Sequence, residues 1–197
     1  MGKQIVTVVL LFICCAQASA QLEKGNLYPG LSSENRLRFF NKSFGVKPEL
    51  SYALDNHSLI GVKGNYFRSN NYNLFNAAND KAYNLQYGAG ISYSYLRYFK
   101  RSNKWGWYAN ANLEFNKLKY YDIKSTGQTE LNYQFYQTEL SLRPGLFFKP
   151  SERVMFFANF GGVSLQNNAG NIRGDFNFAS QVNIGVLINL DVSRKKK

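Results

Sequence analysis

The sequence predicts an all-β chain, an eight-stranded antiparallel up-and-down transmembrane β-barrel. Three observations carry the prediction. Long segments alternate apolar and polar residues without losing phase. The composition is aromatic (16%, with 14 Tyr and 16 Phe), rich in Asn and Gly, and only 18% charged, which suits strands and turns. The chain also opens on an export signal. Hydrophobic content of 45% argues against disorder. Past residue 20 no apolar run approaches the ~20 residues of a membrane helix, and mean hydropathy is -0.35. A barrel escapes that test, because its two faces cancel in any average.

Residues 1–20 read as a secretory leader. Lys3 supplies the positive start, Ile5 to Cys15 the apolar run, and Ala18-Ser19-Ala20 the cleavage pattern, with cleavage expected before Gln21. The run is too short to span a membrane. Both cysteines, Cys14 and Cys15, leave with it, so the mature chain is expected to hold no disulfide and no Cys metal site. Ile13 precedes Cys14 where a lipoprotein signal needs a small residue, so lipidation is not expected. The barrel domain would occupy 21–193, and the basic residues 194–197 would form a periplasmic tail.

Turn signals cut the chain into strands near 25–33, 36–54, 58–69, 83–99, 105–122, 130–149, 153–167 and 175–192. Pro29 and Gly30 interrupt the first. In the fourth, Tyr83, Leu85, Tyr87, Ala89, Ile91, Tyr93 and Tyr95 share one face. In the fifth, Trp105, Trp107, Ala109, Ala111, Leu113 and Phe115 oppose Gly106, Tyr108, Asn110, Asn112, Glu114 and Asn116. In the sixth, Tyr133 and Phe135 fall out of phase with Leu140 and Leu142, which predicts a bulge between them. The eighth places Phe176, Phe178, Val182, Ile184, Val186, Ile188, Leu190 and Val192 on one face, interrupted by Ser180. Its other face is amide-rich, with Leu187 the exception. Helices would scatter these sets around their circumference. Connections at 55–57, 100–104 and 150–152 are compact, whereas 70–82, 124–129 and 168–174 are longer or more polar, which is the barrel pattern.

A soluble sandwich also alternates, but its strands average about 5–6 residues. Several segments here hold phase for twelve or more, and a tilted membrane strand needs about 9–11. The polar face of the last strand is Asn, Gln, Gly and Asp, which suits a narrow filled bore better than solvent. Tyr98, Phe99, Trp105, Trp107 and Tyr108 bracket one basic turn, and Tyr120 and Tyr121 stand at the far end of the same strand; the seven read as two interfacial girdles. Turning the last strand over would put Asn183 and its neighbours into lipid at several kcal/mol per unpaired amide.

Phe44-Gly45-Val46-Lys47-Pro48-Glu49-Leu50-Ser51-Tyr52, Leu96-Arg97-Tyr98-Phe99, Arg143-Pro144-Gly145-Leu146-Phe147-Phe148 and Val182-Asn183-Ile184-Gly185-Val186 give the chain a resemblance to a family. It resembles the small outer-membrane β-barrel proteins with an OmpA/OmpX-like eight-stranded domain, in their Bacteroidetes form. The resemblance implies an outer-membrane location after cleavage near Ala20. It also implies membrane lipid, lipopolysaccharide and the barrel-assembly machinery as partners, with an extracellular ligand met by the loops. One departure is that many such barrels end on an aromatic residue, whereas this chain runs past Val192 into Ser193-Arg194-Lys195-Lys196-Lys197.

Little material for catalysis is present. His57, the one histidine, sits in the Asp55-Asn56-His57-Ser58 turn and reads as a turn residue. His57 and Ser58 are adjacent, so on a strand they would face opposite ways and make no dyad. No phosphate-binding glycine loop or metal-ligand cluster is found, and no cofactor is expected. Five ionisable residues fall on inward positions: Glu49, Lys63, Glu114, Glu139 and Arg143. In a bore filled by eight strands they read as a salt-bridged plug rather than an ion path. The net charge of +12 raises nucleic acid, but export and the absence of a dominant basic cluster exclude it. Lys and Arg at strand ends would meet lipid phosphates or keep turns solvated. The expected function is a non-enzymatic membrane barrel serving envelope integrity, adhesion or loop-mediated binding. The alternatives are a barrel enzyme modifying lipid and a soluble lipocalin-like carrier.

Overall fold

Eight strands follow one another around a single closed antiparallel ring: β1 (Leu27–Arg36), β2 (Ser43–Ala53), β3 (Ser58–Tyr72), β4 (Lys81–Tyr98), β5 (Trp105–Ile123), β6 (Thr129–Phe148), β7 (Val154–Asn168) and β8 (Asn171–Ile188), with β8 closing on β1. The computed structural model describes residues 22–36, 43–72, 81–123, 128–168 and 170–190. The expected leader (1–20) and basic tail (194–197) lie outside the described residues. Closure leaves no edge strand around the body of the ring.

One rim, the turn end, gathers the connections 54–57, 99–104 and 149–153 with the first and last described residues. The other, the loop end, gathers the connections after β1, β3, β5 and β7. Side-chain caps stiffen the turns. Asp55 Oδ1 accepts the His57 backbone N–H at 2.7 Å, and Ser102 Oγ accepts those of Lys104 and Trp105 at 3.2 and 3.0 Å.

Strand bounds depart from the alternation reading where pairing decides. The predicted break at 34–35 is absent: β1 runs to Arg36 because it pairs with β8 as far as Gln181. Residues 37–42 of the expected second strand lie outside the described residues. Pro29 causes no break, because it pairs with Leu50 of β2 while the β8 ladder begins one residue later, at Gly30. The predicted polar loop over 168–174 is instead a tight connection. Gly170 adopts φ 97° there, and its N–H donates to Asn167 Oδ1 at 2.9 Å.

The predicted bulge between Phe135 and Leu140 does not occur. β6 pairs with β5 in unbroken register from Phe148 to Tyr133, and the extra residue is Asn132, between Tyr133 and Leu131. Tyr133 and Phe135 therefore share the inward phase of Glu139 and Arg143. They differ from Leu140 and Leu142 by facing the other way on one regular strand. Between β7 and β8 the register shifts at Phe160/Gly161, which leaves the neighbourhood of Ser180 out of the ladder.

The turn-end third of the bore is apolar. Leu22, Tyr28, Leu59, Leu96, Phe147, Met155 and Leu187 form one buried cluster, with Tyr98 and Phe157 against it. Full burial of each such side chain stabilises by roughly 1.5–3 kcal/mol. Glycine makes the rings fit. A Cβ on Gly145 would strike the Ala158 carbonyl oxygen and the Tyr108 ring, whereas one on Gly174 would meet Leu165 at an ordinary 3.8 Å. Gly145→Ala should therefore cost about 1–3 kcal/mol by overpacking, and Gly174→Ala should stay within about 0.5 kcal/mol. Urea unfolding of the two variants checks this; equal midpoints would contradict the packing.

Candidate functional site

Alternation on β2, β3, β5 and β6 sends one residue in two into the bore, and there the charges concentrate. Glu49 and Lys63 are direct register partners, with Lys63 Nζ 3.5 Å from a Glu49 oxygen. Glu49 Oε1 also accepts from Ser51 Oγ at 2.6 Å and Ser92 Oγ at 3.1 Å. Glu114 and Glu139 are register partners across β5 and β6. Two carboxylates so placed repel one another unless each has a cation. Lys47 Nζ meets Glu114 at 3.2 and 3.4 Å, and Arg143 Nη2 meets Glu139 at 3.2 Å. All five predicted interior residues thus lie in the bore.

Lys47 is the member that the sequence analysis missed. It stands two residues before Glu49, on the same face, and the phase count alone could have found it. With it, three cations balance three carboxylates. Amides tie the strands together around them. Asn65 Nδ2 donates to Glu114 and to Asn116 Oδ1 (3.0 and 2.6 Å). Lys63 Nζ donates to Asn110 Oδ1 at 3.1 Å, and Asn110 Nδ2 to Ser94 Oγ at 2.6 Å. Between this layer and the apolar plug lies a cavity of about 30 Å³ bordered by Glu49, Lys63, Tyr108, Asn110, Asn159 and Asn183. That is room for a water or two. Asn183 Oδ1, buried without a protein partner, faces the same need.

The predicted aromatic set divides. Phe99, Trp105 and Trp107 are exposed on the outer wall at the turn end, where Trp105 stacks on Phe148 with centroids 4.3 Å apart. Tyr121 stacks on Tyr83 at the loop end, 4.7 Å apart. Tyr98, Tyr108 and Tyr120 are corrected. Tyr98 packs edge-on against Phe147 in the plug. Tyr108 is buried, and its hydroxyl accepts from Asn159 Nδ2 at 3.1 Å. Tyr120 lies on the inward phase, stacked on Tyr133 at 4.3 Å. Nearness to a strand end set the expectation, but facing is set by phase.

At the turn end, Lys149 follows β6 and is buried. Burial pushes its ammonium down to about 8, against the opposing influence of Glu23 and Glu152. The His57 N–H holds the Asp55 carboxyl below the usual carboxylate range. His57 contributes its backbone to this turn, and its ring lies 6.2 Å from Tyr95. Among the described residues no group of three or more His, Cys, Asp or Glu side chains gathers as for a metal ion.

No family model matches the sequence, and no curated protein matches it. Among solved structures, the chain is similar to the N-terminal β-barrel domain of Pseudomonas aeruginosa OprF, at 10% identity and TM-score 0.49 over 85% of this chain and 98% of that one. It is also similar to Ail, the attachment invasion locus protein of Yersinia pestis, at 14% and 0.45 over 85% and 100%. A third is Neisserial surface protein A, at 15% and 0.47 over 84% and 96%.

Proposed function

We propose that the chain is an integral outer-membrane barrel with a closed bore, non-enzymatic, serving as a rigid stave that presents its loop end for adhesion or binding. The carrying observation is the inversion of its two faces. Val62, Phe115 and Ile184 on the outer wall are 56–58% exposed, while Asn116, Glu114 and Glu139 inside are 2–5% exposed. Water as the surrounding solvent would leave a wall of some two dozen large apolar side chains bare, far beyond the patches soluble monomers tolerate. Acyl chains remove that cost.

The height agrees. On β5 the outward row from Trp105 to Phe115 is uniformly apolar, and Lys117 and Lys119 follow. Ten residue steps of ~3.3 Å at a tilt of ~40° project to ~25 Å, the height of a barrel's apolar band. Outer aromatics stand at both ends of that row, as amphipathic rings at an interface do.

Beyond the band, β5 and β6 continue as a hairpin to Ile123 and Thr129. Tyr120, Tyr133 and Phe135 stack along it, with Tyr133 half exposed. This aromatic ridge supports the binding role, since such rings give contact area at low entropic cost. The salt-bridged layer and the apolar plug support a closed bore.

The test is reconstitution of the leaderless chain. It should resist carbonate extraction from vesicles and shift its gel mobility on heating. In a planar bilayer it should give no steady conductance. Loss to the carbonate supernatant, or stable open-channel current, would overturn the reading.

A further inference from the structure

The outward wall of β3 to β6 is chemically unlike the rest of the barrel. At the loop-side edge of its apolar band stand Arg68, Lys117 and Lys119. The register places Arg68 beside Leu85 and Leu85 beside Lys119, and Lys117 between Tyr87 and Tyr136. Neighbouring strands are ~4.8 Å apart and alternate residues ~7 Å apart, so the three backbone positions fall within ~12 Å of one another. Each cation rests on a ring rather than reaching away. Arg68 Cζ lies 4.6 Å from the centre of Tyr83, Lys117 Nζ 5.3 Å from that of Tyr136, and Lys119 Nζ 5.5 Å from that of Tyr87. The rings hold the charges against the wall.

Among the described residues no carboxylate answers them. β3 and β4 contain no Asp or Glu at all. Glu114 and Glu139 are spent in the bore. Asp122 and Glu130 face one another on the inward phase, where Asp122 accepts from Asn132 Nδ2. Among the described residues, the outward phase of β1, β2, β7 and β8 carries neither Lys nor Arg. Among the described residues the positive charge is therefore a one-sided patch and not a ring, at one depth, and no described carboxylate supplies its counter-charge.

From this we infer that the patch is a binding site for the headgroup of a phosphorylated lipid, one bearing at least two negative charges. The inference rests on the membrane reading above and deepens it. The anion is identified by depth and by donor type. Just past the hydrocarbon edge the abundant anions are lipid phosphates, and a guanidinium with two ammonium groups offers fork and point donors to their oxygens. Acyl chains below would lie along the apolar rows of Tyr66, Ile91 and Phe115, so headgroup and tails are met by one continuous wall.

The experiment uses the leaderless full chain in phosphatidylcholine nanodiscs doped with cardiolipin, a lipid with two phosphates, and counts retained cardiolipin by native mass spectrometry. Wild type should retain cardiolipin in preference to phosphatidylcholine. The triple variant Arg68→Gln, Lys117→Gln, Lys119→Gln should lower its apparent affinity at least tenfold. A control, Lys100→Gln with Arg101→Gln at the turn end, should leave it unchanged. The single variant Lys117→Gln, with a smaller loss in the same direction, stands in if the triple variant does not fold. Incorporation with undiminished retention by the patch variants overturns the site alone. Failure of wild type to incorporate overturns the membrane reading, and the site falls with it.

Discussion

Lys47→Met should destabilise the barrel by about 3–5 kcal/mol, the cost of removing one partner from a buried ion pair. The lysine is buried, as is Glu114 beneath it. Glu114 stands opposite Glu139 on the neighbouring strand, so its loss leaves two facing carboxylates with Arg143 as the remaining cation of that group. The penalty is larger than a lost attraction, because a desolvated charge is left uncompensated. The second variant decides the cause. Lys47→Met combined with Glu114→Gln removes both charges and should recover at least 2 kcal/mol of the loss. Urea titration of the four proteins of that cycle, folded in vesicles, measures it. Additive losses would show that the two residues do not act as a pair, and a single-variant cost below 1 kcal/mol would show a wet bore.

How much of this network was legible depends on phase. Glu49, Lys63, Glu114, Glu139 and Arg143 fall inward by counting twos along strands whose apolar face is plain. Lys47 obeys the same count, two residues before Glu49 on the face opposite Val46, Pro48 and Leu50. The turn-end plug was hidden by a rule that is too simple, namely that the bore is polar. Leu59, Leu96, Phe147, Met155 and Leu187 are inward by parity, and Leu187 already stood out as an exception on the amide face of its strand. A narrow barrel can fill one end with rings and branched carbons if glycines opposite give them room, as Gly145 does for Tyr108.

Register shifts were not legible for a different reason. An extra residue such as Asn132 leaves the local alternation on both sides intact, and shows only against the partner strand. The apparent phase break in β6 had another origin. Its apolar residues near the loop end, Tyr133 and Phe135, face inward above the ionic layer, while Leu140 and Leu142 face outward at the level of that layer. A strand that passes from one environment to another changes which face is apolar without changing its geometry.

Ile184→Arg should cost about 2–4 kcal/mol, as an Arg near the midplane of a barrel's lipid face does. Its neighbour Asn183, changed to Ser, should cost much less. The two residues are adjacent on β8 and point in opposite directions: Ile184 is 56% exposed and Asn183 only 7%. A soluble barrel with the same coordinates predicts the reverse order for the first substitution. There an exposed Ile replaced by Arg would gain solvation and cost nothing, or stabilise. The sign of that one effect therefore reports the solvent around the wall, independently of fractionation. Asn183→Ser keeps a small polar group beside the bore cavity and removes a buried Oδ1 that lacks a protein partner. Its cost is then a loss of packing, small where the cavity can admit water. Folding titrations of both variants in vesicles give the comparison. Equal costs would break the assignment of faces, and a neutral Ile184→Arg would place water, not lipid, against β8.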